Sequence, residues 1–269
     1  MTTGALIFAF DNEQTNYVAM AGWSAERIHR HLNIPVAIVT DADPADRRLA
    51  AADQVIDATP VSGGTRWFED YQATVSWHNA GRTDSYRLTP WDQTLVLDAD
   101  YVVRGNELKT VIDSPQDFMC HRHAWDMTST NDFDGLNYFG ANRMPMWWAT
   151  VMMFRRSNTA QYIFDSMSMT RENWRHYKDL YHITGSLYRN DYALSIALGI
   201  VSGHTLQVDN IPFGLATVMP EHVLTQLDTD YFEIGYTGLD RKSKTMAWRG
   251  MDFHAMGKKH LGDIVANPR

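Results

Sequence analysis

Three short apolar runs in this chain each end on an aspartate. Ala5 to Phe10 leads into Asp11-Asn12, Val36 to Val39 into Thr40-Asp41, and Thr94 to Leu97 into Asp98. A continuous apolar run of strand length fits a strand buried on both faces. Between the first two, Ala21, Ala25, Ile28 and Leu32 recur at helical spacing, with Glu26, Arg27 and Arg30 on the other faces, and Pro35 stops the helix. A shorter run, Gln54 to Ile56, follows an alanine-rich stretch that reads as helical. Strands alternating with helices predict an α/β fold with a mostly parallel sheet flanked by helices. In such sheets ligands bind where the chain leaves the carboxyl end of a strand for the next helix. Asp11, Asp41 and Asp98 all fall at those ends.

Downstream the texture changes. His121 to Trp148 is rich in Trp, Tyr, Asn, Asp and Met with little period, and reads as a long functional excursion that re-enters the core at Thr150 to Phe154. Tyr162 to Met169 and Asp191 to Leu198 read as helices. The tail carries Arg241, Lys242, Lys244, Arg249, Lys258 and Lys259. With 269 residues and 44% hydrophobic content, one large domain with a sizeable core is the simplest parse. Within it, residues 1–104, 105–240 and 241–269 read as a first half, a second half and a closing tail. A net charge of −8 argues against broad binding to phosphate backbones, which needs a basic face. Cys120 is the single cysteine, so neither an internal disulfide framework nor a thiolate zinc cage can form, and a reducing cytoplasm suits the chain. Met1 to Phe10 reads as a first strand rather than a leader peptide, and no apolar stretch approaches the roughly 18 residues that span a bilayer.

Asp98-Ala99-Asp100 carries the chemistry. Two carboxylates one residue apart on a turn at a strand end can hold a hard cation from one side and leave its other positions to phosphate oxygens and water. An isolated pair of this kind is often just a solvated turn; the apolar strand Leu95-Val96-Leu97 before it favours the metal. Asp132-x-Asp134 lacks such a strand and reads as acceptor-side or inert. His121-x-His123 beside Cys120 has no second ligand pair at zinc spacing, and reads as two histidines on one strand face. Gly63-Gly64-Thr65-Arg66 resembles the glycine loop of sugar-nucleotide synthesising enzymes, but it follows the third strand rather than the first and reads as an ordinary loop.

Leu88 to Leu108, with Arg87-Leu88 upstream, Leu95 to Asp100 as strand and turn, and Val102-Val103 after it, resembles the central motif of glycosyltransferase family 8. That is the GT-A group containing glycogenin and bacterial lipopolysaccharide galactosyl- and glucosyltransferases. Ala5 to Asp11, Thr150 to Phe154, Asn190-Asp191 and Met251 to His260 match further family elements in order, across most of the chain. Two features depart from the pattern. His260 stands at the family's lysine position with Lys258 and Lys259 just before it and no Pro-Trp after it, and Trp148-Ala149-Thr150-Val151 lacks the family's Ala-Gly pair. The chain thus resembles a divergent member or a neighbouring GT-A family.

The resemblance implies a retaining transfer of a hexose or pentose from a UDP-sugar to a hydroxyl acceptor, dependent on Mn²⁺ or Mg²⁺. It implies Asp98, Asp100 and His254 as metal ligands, with imidazole favouring manganese. Gly257 and Lys258 or Lys259 would meet the diphosphate, and Arg87 its phosphates or sugar. Asp11 and Asn12 would face uracil and ribose, or else cap the following helix. Asp191, with Asn190 beside it, would orient the donor sugar, or else serve as a capping acid. Trp248 to His260 would fold over the bound diphosphate as a lid. Three alternatives stay open: a transferase acting on hydroxymethylated nucleotides or DNA, a sugar-1-phosphate nucleotidyltransferase, and a catalytically dead nucleotide-sugar-binding protein. Trp147-Trp148 could stack on sugars or bases, or lie in the core.

Overall fold

The structure, a computed structural model, describes residues 1–185, 187–205, 208–228 and 231–267. Along the chain the first elements are β1 (Thr3–Phe8), α1 (Tyr17–Leu32), β2 (Val36–Thr40), β3 (Gln54–Asp57), β4 (Thr65–Phe68), β5 (Ala73–Ser76), α2 (Ser85–Leu88) and β6 (Gln93–Asp98). There follow β7 (Tyr101–Val102), α3 (Glu107–Ile112), β8 (Phe118–His121), β9 (Ala124–Asp126), β10 (Tyr138–Phe139), β11 (Met144–Pro145) and β12 (Trp148–Arg155). The last third holds α4 (Asn158–Glu172), α5 (Trp174–Leu180), α6 (Asn190–Val201), β13 (Leu215–Val218), β14 (Val223–Leu227), β15 (Tyr231–Thr237), β16 (Ser243–Arg249), β17 (Phe253–Ala255) and α7 (Lys258–Ala266).

The central sheet has the order β3-β2-β1-β6-β12-β8. Its first four strands are parallel, and β12 runs antiparallel to both neighbours. The architecture is the expected one: mixed, mostly parallel, with helices on both faces. Alternation along the strands sorts the core into two layers. Ala5, Ile7, Ile38, Leu95 and Leu97 pack with Val18, Ala21, Ala25 and Ile28 of α1. Leu6, Phe8, Val39, Val96 and Phe154 pack with Ile163, Phe164 and Met167 of α4 and Ala193, Leu194 and Ala197 of α6. Both faces are apolar, so the strands read as unbroken apolar runs.

Local signals explain the boundaries of α1. Asn16 accepts a hydrogen bond from the Ala19 amide at the start, and Asn33, with φ 56°, ends the helix in the left-handed conformation. Two expectations on this face are corrected. Arg27 lies buried with its guanidinium 4.0 Å from the Trp23 ring centroid, rather than on an outer face. The alanine-rich stretch before β3 forms only a short 3₁₀ turn, Arg47–Leu49.

A second sheet, β7-β17-β13-β9, lies beyond the carboxyl end of β6. Here β17 lies between two partners, antiparallel to β7 and parallel to β13. Part of the segment expected to be a lid, Phe253–Ala255, is an interior strand here, with Asp252, Phe253 and Ala255 all buried. The carboxylate of Asp252 accepts hydrogen bonds from the Arg104 and Gly105 amides at 2.6 and 2.8 Å. Strands β14, β15 and β16 form a separate antiparallel sheet, and β4-β5 and β10-β11 are hairpins. Among the described residues no helix is long and apolar enough to cross a membrane.

Candidate active site

Three pieces of backbone converge where β6 ends. The first is the Asp98-Ala99-Asp100 turn itself. The second is the β7-β17 pairing, which sets His254 opposite Tyr101 and has the Ala255 amide donate to the Asp100 carbonyl at 3.0 Å. The third is β12: because it runs antiparallel, with Val151 opposite Leu97, its first residues Trp148, Ala149 and Thr150 lie at the carboxyl end of β6. These pieces, the β4-β5 hairpin and the start of α6 line a cleft of about 290 Å³. A cavity of that size takes the reacting part of a small molecule rather than a folded polymer.

Ligand atoms of Asp98, Asp100 and His254 all lie within 4.8 Å of one another, and His254 Nε2 is 3.5 Å from Asp100 Oδ1. Two carboxylates and an imidazole brought to one point form a donor set that suits Mn²⁺ or Mg²⁺, so these residues fit a resident divalent ion. Arg82, almost fully buried, donates from Nη1 to Asp98 Oδ1 at 2.5 Å, while its Nε and Nη2 have no partner. Burial raises the Asp98 carboxyl above the ordinary range despite Arg82, and the neighbouring Asp100 charge adds to the rise. Burial also opposes ionisation of Asp100, but there the Lys258 ammonium, in direct contact with Oδ2, and His254 outweigh it and hold the carboxyl well below its usual range.

Asp191 and Asn190 line the same cleft. Asp191 Oδ1 accepts from the Ala149 amide at 2.9 Å, and Oδ2 accepts from Arg189 Nη2 at 2.6 Å and Nε at 3.1 Å. Burial disfavours the charged form of Asp191, yet Arg189 and that amide prevail and keep it ionised. Asn190 Nδ2 donates to the Asn79 carbonyl at 2.9 Å, and its Oδ1 accepts from the Tyr188 hydroxyl.

Not every expected residue reaches the cleft. The Asp11 carboxylate accepts from the Val18 amide and from Arg48, and Asn12 holds the Gln14 and Thr15 amides and the Ser76 carbonyl. Asp11 thus holds an amide in the first turn of α1, Asn12 shapes the loop before it, and neither lines the cleft. Arg87 is 71% exposed and 3.7 Å from Asp84, because α2 turns it outward. Lys259 is exposed and contributes its backbone amide to Asp70. Gly257 has φ −77°, a conformation open to any residue. Trp147 and Trp148 are buried, Trp148 as part of the cleft wall. His121 is buried in β8 while His123 is exposed in the turn beyond it, so the two do not share a strand face. Asp132 and Asp134 are exposed and outside the cleft.

Three arginines line the cleft without a role from the sequence reading. They are Arg82, Arg189 on Asp191, and Arg66, named only as part of an ordinary loop. The Arg66 guanidinium lies 3.5 Å from the Trp77 ring centroid and donates to the Tyr188 carbonyl at 2.8 Å, with its Nε unpaired. Burial lowers its pKa to about 10. The glycine run that precedes it starts a hairpin: a side chain on Gly63 would meet the Trp77 ring at 1.9 Å, and Gly64 adopts φ +89°. Only glycine fits both demands.

No protein-family model and no curated protein matches the chain. Similar solved structures are glycosyltransferases. An active-site mutant of LgtC is 16% identical over 72% of this chain and 69% of its own, with a TM-score of 0.48. The glycosyltransferase GlyE of Streptococcus pneumoniae TIGR4 is 14% identical over 78% of this chain and 45% of its own, with a TM-score of 0.44. Mouse xyloside xylosyltransferase 1 is 14% identical over 76% and 83%, with a TM-score of 0.43.

Proposed function

We propose that this chain is a metal-dependent glycosyltransferase that moves a hexose or pentose from a UDP-sugar to a hydroxyl acceptor with retention. The observation that carries the reading is the convergence of Asp98, Asp100 and His254 at the carboxyl end of a parallel strand, with Lys258 on Asp100. A divalent ion held by these residues would supply Lewis acidity toward a departing diphosphate. Lys258 and Arg82 add fixed positive charge where that diphosphate gathers negative charge. Asp191 has both oxygens held by donors, so it suits orienting sugar hydroxyls better than attacking the anomeric carbon. That supports attack by the acceptor hydroxyl on the leaving-group side, with the departing phosphate oxygen taking its proton.

Two of the other readings have less to support them. Nucleotidyl transfer would use free amides in a glycine loop, but the Gly63 amide donates to the Trp77 carbonyl and the Gly64 amide to Ser62 Oγ. Arg155 and Arg156, a basic pair that could meet DNA phosphates, instead donate to the Ser114, Thr89 and Trp91 carbonyls at the opposite end of β12.

Hydrolysis of UDP-sugars with Mn²⁺ tests the reading. Asp100→Asn is expected to lower the rate about a hundredfold or more with its circular-dichroism spectrum intact. Wild-type activity that persists after chelation, or a fully active Asp100→Asn, would overturn it. Because Asp11 and Asn12 are engaged elsewhere, uridine selectivity needs its own measurement. UDP with Mn²⁺ should raise the melting temperature more than GDP or ADP does, and an equal response to all three removes uridine from the assignment.

A further inference from the structure

The β4-β5 hairpin brings to the cleft a tryptophan that the transfer chemistry leaves unused. Trp67 lines the cleft yet is 56% exposed, although an indole is among the largest apolar surfaces a chain can bury. Its ring is held in one orientation. Trp67 Nε1 donates to Glu69 Oε2 at 2.8 Å, and Gln72 Nε2 fixes Glu69 by donating to its Oε1 at 3.0 Å and to its carbonyl at 2.7 Å. Gln72 takes the left-handed φ of 49° in the turn that reaches back to Glu69, a conformation a side-chain-bearing residue adopts at some cost. With the indole N–H occupied, what the ring offers a ligand is its faces, and no ring or guanidinium of the described residues stacks on them. Trp77, by contrast, is covered by Arg66, and Trp147 and Trp148 are buried.

We propose that Trp67 is the stacking platform of an acceptor subsite for a neutral pyranose glycan. This rests on the glycosyltransferase reading and deepens it. A pyranose presents an apolar C–H face ringed by hydroxyls. Trp67 matches the face, and the carboxylates of Glu69 and Asp70 beside it accept from hydroxyls. The same carboxylates repel a phosphodiester, as does the chain's net charge of −8, so a neutral sugar is favoured over a nucleic acid. Trp67 acts by binding the acceptor, not in bond making.

Saturation-transfer NMR tests this, with methyl β-D-glucopyranoside and methyl β-D-galactopyranoside as probes and the protein saturated with UDP and Mn²⁺. Wild type is expected to transfer saturation to the ring C–H protons of at least one glycoside. Trp67→Ala should bind that glycoside at least about fivefold more weakly, and Trp67→Phe should restore binding. UDP affinity by calorimetry should stay within about twofold in all three. The proposal fails if neither glycoside binds wild type, if Trp67→Ala binds as well, or if Trp67→Ala loses UDP affinity, which would make Trp67 a base-stacking residue. It fails equally if a single-stranded oligodeoxynucleotide binds through Trp67 in place of the glycosides. Wild type that binds UDP and hydrolyses UDP-sugars without binding a glycoside overturns the platform alone. Absence of UDP binding and hydrolysis overturns the transferase reading beneath it.

Discussion

Arg82 shows how one buried side chain can govern a metal site from behind. It is 2% exposed and meets Asp98 at 2.5 Å, and two of its nitrogens have no partner. Without that charge Asp98 would lose the strongest influence favouring its ionised form and keep only the weaker ones of His254 and Lys258 against burial and Asp100. An acid whose pKa is already raised loses its charge early on acidification, and metal binding needs the charge. Arg82→Met should therefore weaken Mn²⁺ binding about tenfold or more near neutrality, with a loss that deepens as pH falls. Manganese titrations followed by electron paramagnetic resonance at several pH values check this. A variant with wild-type affinity and pH dependence would reduce Arg82 to a packing residue. At this scale the sequence was legible where chemistry sits in a motif: Asp98, Asp100, His254, Lys258, Asn190 and Asp191 all reach the cleft. It was not legible for Arg82, Arg66 and Arg189, because an arginine's placement depends on which way a turn or hairpin faces. Arg87 lies five residues from Arg82, yet it points to solvent.

Elements were legible in proportion to their burial. Strands β1, β2 and β6 and helix α1 have apolar patterns that decide their structure locally, and they fall close to the expected bounds. The β4-β5 hairpin, in which only Val75 is buried, left no comparable periodic trace. Nor did the short strands β7 and β17, each of which needs a partner far along the chain. Strand β8 carries a cost of a different kind. His121 is fully buried there, with Nδ1 3.0 Å from the Phe213 carbonyl and Nε2 unpaired, and burial lowers its pKa to about 4. An unfolded histidine titrates near 6.5. The stability tied to neutral His121 is therefore complete above about pH 6.5 and is lost as pH falls toward 4, because only the unfolded chain takes up the proton in that window. The full effect is on the order of 3 kcal/mol. Urea midpoints measured from pH 7.5 to 4.5 should fall less steeply for His121→Gln than for wild type. Parallel curves would place the acid sensitivity elsewhere.

On the scale of the whole molecule, the site closes only because the last quarter of the chain returns to the second sheet, beyond the carboxyl end of β6. Phe253 in β17 is fully buried and stacks on Phe232 with centroids 4.3 Å apart. In α7, Leu261 is fully buried, and a side chain on Gly262 would meet Met20 of α1 at 3.4 Å. Truncating one buried phenylalanine or leucine costs about 2–5 kcal/mol, against a total stability of about 5–15 kcal/mol for a typical domain. A chain ending at Gly250 loses Phe253, Ala255 and Leu261 together and leaves β7 and β13 without the strand between them. Such a chain should show no cooperative thermal transition, whereas removal of a detachable lid would leave the transition in place. Proteolysis makes the complementary test on the intact chain. With the Lys258 side chain turned in to Asp100 and the Lys259 amide held by Asp70, trypsin should spare both sites with and without UDP and Mn²⁺. Rapid cutting there in the free protein, blocked by ligand, would restore the lid. A cooperative melt for the shortened chain would make the tail an appendage rather than part of the core.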